Sequence, residues 1–132
     1  ADGHSFKAFF PGGASGGIFP ASMANLPMDF GSFEPHGGFI GSHAVVILSD
    51  QDSIRDAALN TMRFFKHESC GQCTPCRSGT EMMVRLLEDS VADHELYFRL
   101  MMVMGDSSIC GLGQAASNCV KHLIKYFPEE MA

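Results

Sequence analysis

From Ser53 to Phe127 apolar residues recur every three or four positions, the spacing of a helix face, whereas before residue 50 they come in short runs broken by glycine and proline. The spacing predicts four helices. Ser53 to about His67 carries Ile54, Ala58, Met62 and Phe65 on one face, with Asp52 placed to cap its N-terminus. A second helix, about Gly79 to Asp89, carries Met83, Leu86 and Leu87. A third, about Asp93 to Met104, is apolar nearly all round and reads as a buried central helix. The fourth, about Gln114 to Phe127, has a stripe of Ala116, Cys119, Val120, Leu123, Ile124 and Phe127, and Pro128 stops it. Short connections between amphipathic helices favour a small four-helix bundle, so the expected class is mainly α.

The first part differs. His4 to Phe10 reads as a strand ending at Pro11, and the β-branched, apolar run His43 to Ser49 reads as a buried strand. Between them, residues 12–17 and 20–41 are loop-like. Nine of the 14 glycines and four of the six prolines fall in the first 41 residues, which puts a boundary near residues 50–53. Two strands are only marginally stable alone, so residues 1–52 read as an incomplete unit ahead of a helical unit at 53–132. With 132 residues beginning at Ala1, the chain is expected to be a piece of a longer protein.

Charge removes several function classes. Nine Lys+Arg against fifteen Asp+Glu give a net charge of -6 with no basic cluster, so the footprint of a nucleic-acid binder is missing. The longest apolar runs have five residues, against the roughly 20 of a membrane-spanning helix. The polar start lacks the pattern of a secretory signal, so a cytoplasmic location is expected, where cysteines serve as metal ligands or redox groups more often than as disulfides.

The chemistry concentrates in Glu68-Ser69-Cys70-Gly71-Gln72-Cys73-Thr74-Pro75-Cys76-Arg77-Ser78-Gly79. Three cysteines at intervals of three plus a distant fourth suit a [4Fe-4S] cubane, in which each thiolate holds a different iron. Cys110, in Ser108-Ile109-Cys110-Gly111-Leu112-Gly113, is the candidate for the remote corner. Both sites read as loops, where glycines let backbone N–H groups approach cluster sulfurs. Structural zinc usually takes two Cys-x-x-Cys knuckles, and the second is absent. Cys73-Thr74-Pro75-Cys76 alone resembles a thioredoxin-type redox pair but follows a helix and has a third cysteine upstream. The alternative remains a non-redox structural or docking module with zinc or free thiols.

Other candidates weigh less. Cys119 lies on the stripe of the fourth helix and reads as a buried structural thiol. His67 adjoins the cysteine loop, but a helix end favours histidine without any ligand role; His4, His36, His43, His94 and His122 share no ligand-like spacing. Arg77 either offsets the charge of a thiolate-bound cluster, pairs with Glu68, or is simply solvated. No G-x-G-x-x-G, P-loop or Ser-His-Asp pattern is present, so no catalytic residues and no FMN or NAD ligands are assigned.

The segment from Glu68 to Gly79 resembles the iron–sulfur signature of the NADH-binding flavoprotein subunits of respiratory complex I, NAD-dependent formate dehydrogenases (β subunit) and NAD-reducing hydrogenases (diaphorase subunit). Pro11-Gly12-Gly13-Ala14-Ser15, Leu26-Pro27-Met28-Asp29-Phe30 and Cys110-Gly111-Leu112-Gly113-Gln114 match as well. Pro20-Ala21-Ser22-Met23 and Ile40-Gly41-Ser42 look closest to the formate dehydrogenase branch. The resemblance implies that residues 1–52 are the latter portion of a soluble-ligand-binding β-grasp (α+β) domain and residues 53–132 a helical [4Fe-4S] domain. It implies Cys70, Cys73, Cys76 and Cys110 as ligands, with Cys119 at no ligand position. It also implies FMN and NAD(H) sites in an N-terminal domain outside this chain, and one-electron relay toward further clusters. The implied partners are a [2Fe-2S] thioredoxin-like subunit and a larger iron–sulfur or catalytic subunit, in a cytoplasmic complex or one peripheral to the cytoplasmic face of a membrane.

Overall fold

In the computed structural model, which describes residues 2–131, the apolar run Phe6–Phe10 forms strand β1 at the centre of a three-stranded antiparallel sheet. Ala1 and Ala132, the outer ends of the two expected units, lie outside the described residues. The neighbours of β1 are β2 (Phe19–Pro20), with Ala8 opposite Pro20 and Phe9 opposite Phe19, and β3 (Val46–Ser49), with Phe10 opposite Val46. Strand β2 is absent from the sequence expectation because two residues, one of them a proline, carry no periodicity; proline is tolerated there because β2 is an edge. The run around β3 is not buried as expected: it forms the opposite edge, with Ile47 62% exposed. An apolar run alone does not distinguish a central strand from an outer one.

Five α-helices follow, so the chain is mainly α with a small sheet. Helix α1 (Ile54–Glu68) is capped by Ser53, whose hydroxyl accepts from the Asp56 N–H at 3.1 Å. Asp52, the expected cap, accepts instead from the Ser49 N–H and hydroxyl, which hold its carboxyl below the usual range. Helix α2 (Thr74–Glu88) starts at Thr74 rather than Gly79, because Pro75 sits in the first turn, where its missing N–H costs nothing. Helix α3 (His94–Ser107) is peripheral rather than central. Among its residues Tyr97 and Met104 are buried, and Phe98, Met102 and Val103 are half exposed or more. The expected fourth helix is two: α4 (Gly111–Ala115) and α5 (Asn118–Tyr126), separated at Ser117, whose ψ of 1° leaves the helical range.

One core spans both parts of the chain. Ala8, Phe10 and Ile18 pack in the same cluster as Met62 of α1, Met83 of α2 and Leu123 of α5. Polar ties reinforce it: the buried His122 accepts from the Ile18 N–H at Nδ1 (3.1 Å) and donates from Nε2 to the His36 carbonyl (3.1 Å), which fixes a single neutral tautomer. Gly17 makes this approach possible, since a Cβ there, at φ +87°, would stand 2.3 Å from the His122 ring. Asn118 Nδ2 donates to the Ser15 carbonyl at 2.9 Å.

Glu130 closes the far side. Its Oε2 accepts from the Ile54 and Arg55 N–H groups at 2.6 and 3.3 Å, acting as a remote cap for α1, while Oε1 pairs with Lys7 of β1. Glu130→Ala leaves those amides without partners and is expected to destabilise the fold by about 1–2 kcal/mol, read as a lower urea midpoint at unchanged slope.

Candidate metal centre

The cysteines sit where helices begin. Helix α1 ends at Ser69, whose N–H donates to Phe65; Cys70 and Cys73 follow on the connecting turn; Cys73 is the N-cap residue of α2, and Cys76 lies in its first turn. Cys110 is the extended N-cap residue of α4 (φ −127°, ψ 170°). Cys76 is therefore helical rather than on a loop as expected, and it is buried, whereas Cys70 and Cys110 are exposed and Cys73 is intermediate. All four are free thiols.

Two approaches bring the distant segment to the close set. The Ile109 N–H, the largest influence, and the Cys76 N–H point at the Cys73 sulfur and hold its thiol below the ordinary value. The smallest contribution comes from the Ser108 hydroxyl, which stands near without closing a full hydrogen bond. Gly113 provides the second approach: a Cβ there would lie 2.4 Å from Ser108 Oγ and 2.9 Å from Cys76 Cβ, so only glycine lets α4 pack this close to α2. Cys73, Cys76 and the 108–113 segment thus form one group.

Neighbouring side chains stiffen it. The Ser69 hydroxyl accepts from the Gly71 N–H (3.2 Å) and lies 3.3 Å from Cys76 Sγ, leaving its own proton free to point at the sulfur. Arg77 donates to the Gly71 carbonyl at 2.5 Å and to Thr74 Oγ1 at 3.2 Å, so it braces the turn rather than pairing with Glu68, which contacts His67. Among the described residues, no three His, Cys, Asp or Glu side chains are drawn round one point as by a single ion. A cubane spreads its ligands over four irons, and the amide-lined thiols and the unpartnered Ser108 hydroxyl suit such an anionic, sulfur-rich group.

Cys119 is apart from this group. It is fully buried on α5 beside Thr61, and burial pushes its thiol up to about 12, as befits a structural residue. His67 is exposed and bonded to Glu68. Sequence reasoning missed Ser69 and Ser108; each is a small polar residue within two positions of an expected ligand, but only the hydrogen bonds of Ser69 and the burial of Ser108 distinguish them from ordinary turn serines.

Comparison with known proteins points the same way. Residues 56–132 match the family model described as the NADH-ubiquinone oxidoreductase-F iron-sulfur binding region. The F subunit of NADH-quinone oxidoreductase from Rickettsia rickettsii (strain Sheila Smith) is 34% identical over 133 residues, covering 96% of this chain and 32% of that protein. An F subunit of the same enzyme from Rhizobium meliloti (strain 1021) is 37% identical, covering 94% of this chain and 30% of that protein. The crystal structure of an NAD+-reducing [NiFe]-hydrogenase in the H2-reduced state superposes with a TM-score of 0.85 at 29% identity, over 96% of this chain and 23% of that one. The chain thus spans about a third of the length of the curated relatives it matches.

Proposed function

The chain belongs to the NADH-ubiquinone oxidoreductase-F iron-sulfur binding family, and from that premise we propose that it relays single electrons within a larger NAD(H)-dependent oxidoreductase, through a [4Fe-4S] cluster held by Cys70, Cys73, Cys76 and Cys110. The observation that carries this reading is the convergence of Ile109, Ser108 and Gly113 on Cys73 and Cys76. When bound, a cluster of this kind supplies one-electron acceptance and release. Cys70 and Cys110, both exposed, supply the outer ligands, and Cys73 and Cys76 the inner pair. The N–H groups of Ile109 and Cys76, with the N-terminal end of α2, offset the negative charge that four thiolates bring. Arg77 and Ser69 keep the 69–74 turn in place.

Hydride exchange between NAD(H) and FMN belongs, in this reading, to the rest of the longer polypeptide. Residues 1–52 are the latter portion of a β-grasp domain, and residues 53–132, with α4 and α5 as one broken helix, are a four-helix cluster domain. Electrons pass onward to other subunits, a [2Fe-2S] thioredoxin-like one and a larger iron–sulfur one, in a cytoplasmic or peripherally attached complex. Among the described residues no helix is long and apolar enough to cross a membrane. Exposed Met82 and Val103, which share a cleft with Thr74 and Pro75 at the start of α2, together with Ile109 at 78% exposure, give this end the apolar surface that contact with another polypeptide requires. The sequence resemblance of Pro20-Ala21-Ser22-Met23 and Ile40-Gly41-Ser42 favours formate dehydrogenase as the parent complex.

Anaerobic iron and acid-labile sulfide analysis, with visible absorption and EPR on reduction, tests the reading. A brown protein with about four irons and four sulfides per chain is expected. A colourless anaerobic preparation holding one zinc per chain overturns it in favour of a structural module.

A further inference from the structure

We propose that the Ser108 hydroxyl donates a hydrogen bond to a sulfur of the cluster assembly, either Cys73 Sγ or an inorganic sulfide beside it, and thereby raises the reduction potential. The inference rests on the cluster reading above, and it adds a residue with no place among the ligands. Ser108 is 5% exposed, and its Oγ is the buried side-chain oxygen that lacks a hydrogen-bond partner among the described residues. A buried hydroxyl without a hydrogen bond is costly, so such a group is expected to have a partner when the protein is complete.

The backbone of Ser108 is anchored on both sides. Its N–H donates to the Met104 carbonyl at 3.2 Å, ending α3, and its carbonyl accepts from Gln114 Nε2 at 3.1 Å, tying it to α4. The hydroxyl lies on the face shared with Gly113 and Cys76, since a Cβ on Gly113 would stand 2.4 Å from Ser108 Oγ and 2.9 Å from Cys76 Cβ. On that same side the Cys73 sulfur receives the Ile109 N–H, one residue along from Ser108. A donor there finds no oxygen acceptor, and a thiolate or sulfide is the acceptor the cysteines supply. The physical effect has one direction: each added electron makes the cluster more negative, so a hydrogen bond to its sulfur stabilises the reduced form more than the oxidised form.

The test compares the cluster-loaded wild-type protein with Ser108→Ala and Ser108→Thr by iron and sulfide content, EPR-monitored redox titration and pulsed EPR after exchange into D2O. At the wild-type midpoint the ratio of reduced to oxidised cluster is expected to fall roughly three- to tenfold in Ser108→Ala, at unchanged iron content, and to be restored in Ser108→Thr. One exchangeable-proton coupling of the reduced wild-type cluster is expected to vanish in Ser108→Ala. An unaltered midpoint and an unaltered set of couplings in an iron-replete Ser108→Ala protein overturn the proposal and leave the cluster itself standing. If Ser108→Ala fails to hold iron, Ser108→Thr decides: retention of the midpoint and of every wild-type coupling supports the proposal, and loss of a coupling with iron retained overturns it. A wild-type protein without iron and sulfide sinks the cluster reading instead.

Discussion

Cys76→Ser is expected to strip the chain of its iron and visible absorption while leaving its helices in place. Cys76 is the buried ligand candidate, set in the first turn of α2, and serine is close enough in shape to preserve the contact with Gly113. What it removes is a soft thiolate, for which a hydroxyl at neutral pH is no substitute. Loss of an outer hydrogen-bonding partner alone costs roughly 10- to 100-fold in metal affinity, and loss of a ligand is expected to exceed that. Cys70→Ser, Cys73→Ser and Cys110→Ser are expected to behave alike. Cys119→Ser provides the contrast. It places a hydroxyl in a buried, mainly apolar site with Thr61 as the neighbouring polar group and is expected to destabilise by about 1–3 kcal/mol, yet it keeps full iron content. A panel in which Cys119→Ser loses iron and Cys110→Ser keeps it contradicts the ligand assignment.

Acidification from pH 6.5 to 4 is expected to remove about 3 kcal/mol of stability through His122 alone. Burial, with smaller repulsion from Lys121 and Lys125, lowers its value to about 4, against 6.5 for the unperturbed ring. Above pH 6.5 the ring is neutral in both folded and unfolded chains and the full contribution is present. As the pH falls below 6.5 the unfolded chain takes up a proton that the folded chain refuses, so unfolding gains ground until the folded value near 4 is passed. A charged ring would also lose its Nδ1 acceptor and with it the bond from Ile18. His122→Leu is expected to cost several kcal/mol at pH 7 and to flatten the slope across this window, measured as urea unfolding free energy at a series of pH values. Asp52, whose carboxyl is held down by Ser49, makes a constant contribution above the ordinary carboxylate value and loses it only as the pH falls further, so it does not confuse the reading. A variant that retains the wild-type slope assigns the effect to other groups.

Much of the candidate site is legible in the sequence because cysteines at intervals of three are the pattern that suits iron–sulfur ligation. Cys70, Cys73 and Cys76 fall at intervals of three in one short stretch, which marks them as candidates before any backbone is known, and the helix faces of Ile54, Ala58 and Met62 are set by period. What periodicity does not encode is partnership. Helix α3 is apolar nearly all round, yet buries mainly Tyr97 and Met104, because burial depends on which neighbours exist and not on the helix alone. The Val46–Ser49 strand misleads for the same reason. Local chemistry overrode the pattern at two helix starts: Pro75 carries α2 back to Thr74, and Ser53 takes the cap while Asp52 turns to Ser49. Ser108 and His122 declare themselves only once burial and hydrogen bonding are known, since a serine near a cysteine and a histidine on a helix are individually commonplace.

The ties to the last helix bear on when, as well as how, the chain becomes ordered. Ile18 waits for His122, Ser15 for Asn118, and Lys7 for Glu130, so these ties of the N-terminal segment close only after about a hundred further residues have been synthesised. Contacts of such sequence separation close slowly and late. Both cysteine segments are synthesised before that closure, which leaves an interval in which their thiols are reachable and the glycine-rich N-terminal stretch has not yet settled over α5. A chain cut between residues 52 and 53 would divide a shared interior, so the compositional break marks a seam in sequence and not a line along which the molecule comes apart into self-sufficient halves.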